Sequence, residues 1–199
     1  MNNPARESIL GSIRTHLAAS VPFDLREHPI NHANPVILSK TASDLSLLDV
    51  FKQNVESVSA HCIITTDVTD VLKQILTDLN AQRIANSDNP PNAHDIFQFD
   101  VGISRAQAAI AETGTLVLDS TYERHRLVSL VPSVHIAIIN ASSIVETLSD
   151  ALTLLQKDKE ISPAITFITG PSRTADIELT LAIGVHGPQE LFVIVDGSK

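Results

Sequence analysis

The chain has 199 residues, 43% of them hydrophobic but only 4% aromatic, and a formal net charge of −9 from 14 basic and 23 acidic side chains. That length allows one domain with a sizeable, largely aliphatic core, and the acidic balance argues against a nucleic-acid partner. One cysteine, Cys62, excludes an internal disulfide and any iron–sulfur cluster ligated by this chain alone.

From the N-terminus, Asn3-Pro4 reads as an N-cap and first helical position. Ile9, Ile13 and Leu17 then fall four apart on one helical stripe that ends near Ser20-Val21-Pro22. Residues 21–36 contain Pro22, Pro29 and Pro35 without a period, and read as a loop or extended arm. The expected organisation is therefore an N-terminal helix and arm over 1–34 and an α/β domain over 35–199. Thr41 to Asp44 reads as a capping box for a helix carrying Leu48, Phe51, Val55 and Val58. His61–Thr65 is a short strand. Asp67 to Asp70 opens a helix with Val71, Ile75 and Leu79 on one face, Gln82–Ala85 is a further strand, and Ser87–Asn92 is a loop.

The second half is richer in strands. Apolar segments at Ala106–Ala111 and Gly114–Leu118 meet at Glu112-Thr113, and Val134–Ile139 is another strand. Ser143 to Glu146 reads as a capping box before a helix with Ile144, Leu148, Leu152 and Leu155. Ala164–Thr169 is a strand broken by Gly170-Pro171. Ile177 to Ile183 alternate with a period of two, and Leu191–Val195 is the last strand. Aliphatic strands alternating with amphipathic helices predict a three-layer α/β/α domain with a mostly parallel sheet. No N-terminal segment resembles a signal peptide. No run of about 18 apolar residues offers a membrane span. A cytoplasmic location without membrane insertion is expected.

Two turns concentrate the chemistry. Gly170-Pro-Ser-Arg-Thr-Ala-Asp-Ile-Glu178 follows a strand and carries two hydroxyls, a guanidinium and two carboxylates. Arg173 offers a planar fork of donors suited to carboxylate or phosphate. Ser172, Thr174, the Gly170 backbone and Asp176 would complete a cradle. The competing reading is that Arg173 pairs with Asp176 or Glu178 and only holds the loop. Such a loop is expected at the carboxyl end of a strand, where α/β sheets bind ligands. In the second turn, Glu112 stands between apolar segments, where lost solvation should favour its protonated form unless donors surround it. Thr113, Gly114 and Thr115 could supply donors to Glu112 or to a ligand, or could simply satisfy a strand junction.

Other residues are more ambiguous. His186, in Gly184-Val-His-Gly-Pro188, is either an acid–base group or a structural turn residue. Arg126, closing the charged cluster Tyr122–Arg126, is a further anion contact. Cys62 lies in an apolar strand and reads as a buried small hydrophobe. The histidines show no metal-ligand spacing, so no metal site is expected. Walker, dinucleotide and nucleophile-elbow patterns are absent.

Three segments taken together, Ala109–Thr115, Arg126–His135 and Gly170–Glu178 with Gly184–Pro188, resemble the LUD-domain family, and more closely its short lactate-utilisation protein C branch. The resemblance covers about residues 35–197 and is densest from 101 onward. It implies a fold similar to the ribose-phosphate isomerase, glucosamine-phosphate deaminase and CoA-transferase group. It also implies work alongside iron–sulfur partner proteins in oxidising L-lactate to pyruvate, with no cofactor in this chain. By analogy of fold, the segment with Glu112 would line a crevice for anionic ligands. The leading expectation is a non-cluster component that binds a small anionic metabolite, with Glu112 or His186 as proton acceptor. The alternatives are a free-standing enzyme on a sugar-phosphate, folate-like or acyl-CoA substrate, and a metabolite-sensing binding module.

Overall fold

A computed structural model describes residues 4–19, 46–120, 126–155, 164–175, 181–183 and 187–198. By internal contacts the chain divides into two units, Met1–Ala42 and Ser43–Lys199. In the first, helix α1 spans Pro4–Ala19, as the Asn3-Pro4 signal and the four-residue spacing predict. Its Ile9 and Ile13 are exposed.

The second unit is built on a five-stranded parallel sheet. Its strands are β1 (His61–Thr65), β2 (Ile84–Asn86), β3 (Val101–Arg105), β6 (Val134–Asn140) and β11 (Glu190–Asp196), ordered β1-β11-β6-β3-β2. The last strand in the sequence therefore lies inside the sheet. Its run Leu-Phe-Val-Ile-Val has neighbours on both edges, as an unbroken aliphatic strand should.

Helix α3 (Val68–Asp78) covers one face, where Ile75 packs on Val101, Ile103, Ile136, Ile138 and Ile194. Asp67 caps this helix by accepting from the Asp70 amide at 3.0 Å. The other face receives helix α2 (Leu47–Ser57) and a second, four-stranded sheet. That sheet comprises β4 (Ala108–Ile110), β5 (Thr115–Asp119), β7 (Ile144–Val145) and β8 (Ile165–Ile168), in the order β7-β4-β5-β8. Ala109, Ala111, Leu116 and Leu118 face the parallel sheet, while Ala108, Ile110 and Val117 meet Ala151 of helix α5 (Leu148–Leu155). The α/β class with a mostly parallel sheet between helices is thus present, with an additional mixed sheet inserted on one side.

Several local readings shift. Ser46 is the cap of α2: its hydroxyl accepts from the Asp49 amide at 3.2 Å. The segment Thr41–Asp44 lies outside the described residues, as does the 21–36 arm. Ser143 is not a helix cap, because Ile144 and Val145 pair with Ala109 and Ile110 as β7. The capping box sits later, at Thr147 and Asp150. The Asp150 amide donates to the Thr147 hydroxyl at 3.3 Å, and the Thr147 amide donates to the Asp150 carboxylate at 3.1 Å. Arg173–Ala175 forms strand β9 and pairs antiparallel with β10 (Leu181–Ile183). Of the alternating stretch 177–183, only this last part is described.

Candidate functional site at the end of helix α2

Antiparallel pairing of β5 with β8 sets Leu116 opposite Ile168. The same register carries the turn before β5, residues 111–114, alongside the turn after β8, which begins at Gly170. Both turns rest on the C-terminal half of α2. Gly114 has φ 65°, and a Cβ there would come within 2.6 Å of the Asn54 carbonyl carbon and the Val55 nitrogen. Gly170 has φ 79°, and its Cβ would sit 2.9 Å from the Val58 carbonyl oxygen. Glycine is demanded at both positions by the left-handed backbone and by the close approach of the helix. The Asn54 side chain adds a tie, donating to the Ala111 carbonyl at 2.7 Å.

Hydroxyls line this junction. Thr115 Oγ1 lies 2.7 Å from Thr113 Oγ1 and 2.7 Å from Thr169 Oγ1, forming one continuous chain. Thr115 is buried, whereas Thr113 and Thr169 are exposed. Just past the end of α2 the Arg173 guanidinium donates to the Ser59 hydroxyl, and Ser59 itself holds a left-handed φ of 65°. The Ser172 amide donates to the Pro188 carbonyl at 2.7 Å, and Gly187 abuts the Ser172 side chain. Glu112 is exposed on its turn, with its amide bonded to the Glu146 carbonyl at 3.2 Å. Its side chain faces solvent and not an apolar pocket, because, among its apolar sequence neighbours, Ala109 and Ala111 face the parallel sheet while Ala108 and Ile110 meet α5.

The structure thus places Thr113, Gly114, Thr115, Gly170 and Arg173 on turns that pack at one helix end, while Ser172 on the turn after β8 packs against Gly187 and Pro188. Arg126 is exposed at the start of helix α4 (Leu127–Leu130), with its carbonyl accepting from Ser129; at the other end of α4 the Leu130 carbonyl would lie 3.7 Å from a Cβ at Gly187, which also abuts Ser172. The side chain of Thr174, together with Asp176, Glu178, His186 and most of the Tyr122–Arg126 cluster, lies outside the described residues. The 170–173 turn does follow the carboxyl end of β8. Its neighbours, however, are Val58 and Ser59, which lead into β1, and Pro188, which leads into β11. It therefore sits by the amino ends of the parallel strands, not by their carboxyl ends.

A second polar feature has no counterpart in the sequence reading. Ser104 of β3 and His135 of β6 are buried on the face shared with the second sheet, with Oγ and Nε2 2.7 Å apart. His135 Nδ1 has no partner among the described residues. Burial lowers the imidazole pKa from 6.5 to about 4. Burial likewise pushes the Cys62 thiol up to about 11, with the Glu56 charge adding to the effect.

Comparison with known proteins gives the chain its relatives. Lactate utilization protein C of Macrococcus caseolyticus is 31% identical over 222 aligned residues, covering 95% of each chain. The protein of the same name from Anoxybacillus flavithermus is 27% identical, covering 95% of this chain and 98% of its own. A crystal structure of a DUF162 family protein from Deinococcus radiodurans superposes with a TM-score of 0.61, at 23% identity, over 77% of this chain and 99% of that one, which shows a shared fold. The LUD domain family model matches residues 67–195, from α3 into β11, and the chain belongs to the LUD-domain family.

Proposed function

We propose that this protein is a non-cluster component of an L-lactate oxidation system, and that it holds a small anionic ligand where two glycine turns meet helix α2. The observation that carries this reading is end-to-end similarity, over 95% of both chains, to a protein named for lactate utilization. The geometry supports it in kind. Three linked hydroxyls and an exposed arginine offer the donors that recognition of a small carboxylate uses.

In this reading Arg173, with Arg126 as a second cation, neutralises the ligand carboxylate. Ser172, Thr113, Thr115 and Thr174 orient it, and the carboxylate of Asp176 steadies the arginine. Glu112 or His186 takes the proton released when the hydroxy acid is oxidised. Lactate becomes pyruvate by losing two electrons and two protons, one proton to that acceptor and the other to solvent. Iron–sulfur clusters on partner proteins would take up the two electrons, since a single cysteine cannot ligate a cluster here.

Mixing the purified protein with its iron–sulfur partners and following lactate-dependent dye reduction tests the role. The rate should depend on the amount of this chain added. A rate unchanged by its omission defeats the proposal.

A further inference from the structure

Thr169 does not belong to either chemistry-bearing turn as read from the sequence, yet its hydroxyl terminates the chain Thr113–Thr115–Thr169. Each threonine hydroxyl has a single proton. Three of them in series can make both bonds in three ways, but the one in which Thr113 and Thr169 both donate to Thr115 leaves the buried Thr115 proton without a partner in the chain, so two orders remain. If Thr169 donates to Thr115 and Thr115 to Thr113, the Thr113 proton is free to point outward as a donor. If the order reverses, Thr113 spends its proton on Thr115 and presents only a lone pair outward, while Thr169 becomes the free donor. Both distances are 2.7 Å, so either order makes two good hydrogen bonds.

We propose that this chain is a reversible donor–acceptor element of the ligand site, in which Thr113 is the contact and Thr169 the residue that lets its polarity invert. The inference rests on the functional reading above and deepens it by naming the ligand pair. A 2-hydroxy acid and its 2-oxo product differ at one oxygen: a hydroxyl proton needs an acceptor, and a carbonyl needs a donor. A fixed group would favour one member of the pair. A hydroxyl chain that reorders serves both without moving a heavy atom.

The burial of Thr115 makes Thr169 decisive. With Thr169 present, the Thr115 proton has an acceptor in either order. Without it, that buried proton has only Thr113 to bond among the described residues, because leaving a buried donor unpaired is costly. Thr113 then keeps its proton outward with one lone pair beside it, which favours an acceptor ligand over a donor.

The test is binding of lactate and of pyruvate, by calorimetric titration, to the wild-type full chain and to Thr169→Val, Thr169→Ser and Thr113→Val. Valine keeps the β-branched shape at the end of β8. Thr169→Val should shift the ratio of affinities towards pyruvate by roughly three- to tenfold, the worth of one hydrogen bond. Thr169→Ser should restore the ratio. Thr113→Val should weaken both ligands alike. A Thr169→Val protein that binds both ligands with an unchanged ratio, whatever its melting temperature, overturns this proposal and leaves the lactate reading standing. Failure of the wild-type chain to bind either acid overturns the ligand assignment itself, and this inference with it.

Discussion

Ser104 Oγ and His135 Nε2 lie 2.7 Å apart inside the protein, on adjacent parallel strands, with both side chains almost completely buried. The imidazole is held neutral there, because charging it without water would be costly. Its pKa falls to about 4 from an ordinary 6.5. Between those values the unfolded chain binds a proton that the folded chain refuses, so acid favours unfolding. The stabilising contribution is complete above pH 6.5, declines as pH falls towards 4, and levels off below that. The difference is on the order of 3 kcal/mol. Urea midpoints measured from pH 7.5 down to 4.5 should therefore slope downward. His135→Gln should flatten that slope while lowering stability at neutral pH; an unchanged slope would mean other groups carry the acid sensitivity.

Gly114 makes a steric prediction. Replacing it with alanine places a Cβ 2.6 Å from the backbone of Asn54 and Val55, in a left-handed conformation. The helix cannot yield there without losing the Asn54–Ala111 tie. A loss of about 2 kcal/mol or more is expected by chemical denaturation. Gly11 is the control, with nothing within 4 Å of an added Cβ and a helical position in α1. Gly11→Ala should be neutral or slightly favourable to helix content.

Cys62 is buried in β1 between α2 and the mixed sheet, with its thiol pKa raised to about 11. At pH 8 almost none of it is thiolate, and thiolate is the reactive form. Ellman's reagent should label the native protein very slowly and the urea-unfolded protein at once. Fast native labelling would show that this strand edge opens.

Much of the architecture is written in short-range pattern. The aliphatic runs of β1, β6, β8 and β11 and the capped, periodic helices α2 and α3 follow from composition at a period of two or 3.6. What fails does so for identifiable reasons. Strand β3 hides because Gly102 and Ser104 interrupt its apolar residues. Gly102 is small since the Val128 carbonyl presses on it, and Ser104 serves His135. Ser143 to Glu146 imitates a capping box, but pairing of Ile144 with Ala109 overrides that local preference. Candidate residues within one turn, such as Thr113 to Thr115, can be proposed together from sequence. Their meeting with Thr169, Ser59 and Asn54 depends on strand register and helix placement, which spacing along the chain does not encode.

Arg173 and Glu112 provide the most direct functional test. Both are exposed, and Arg173 makes its bond to Ser59 at the rim of the helix end. Arg173→Ala should change stability by less than about 0.5 kcal/mol, as for other surface positions. It should weaken an anionic ligand about tenfold or more, because a charge-assisted contact is lost. Ser59→Ala should give a smaller loss, since the guanidinium is freed but still present. Glu112→Gln keeps size and exposure while removing the proton-accepting carboxylate. It should leave ligand binding nearly intact and lower lactate-dependent dye reduction in the reconstituted system, if Glu112 and not His186 is the acceptor. Thermal-shift titration with lactate, pyruvate, sugar phosphates and acyl-CoA separates the effects. A large loss of stability in Arg173→Ala with undiminished ligand affinity would make the arginine a structural tie between β9 and the α2–β1 turn.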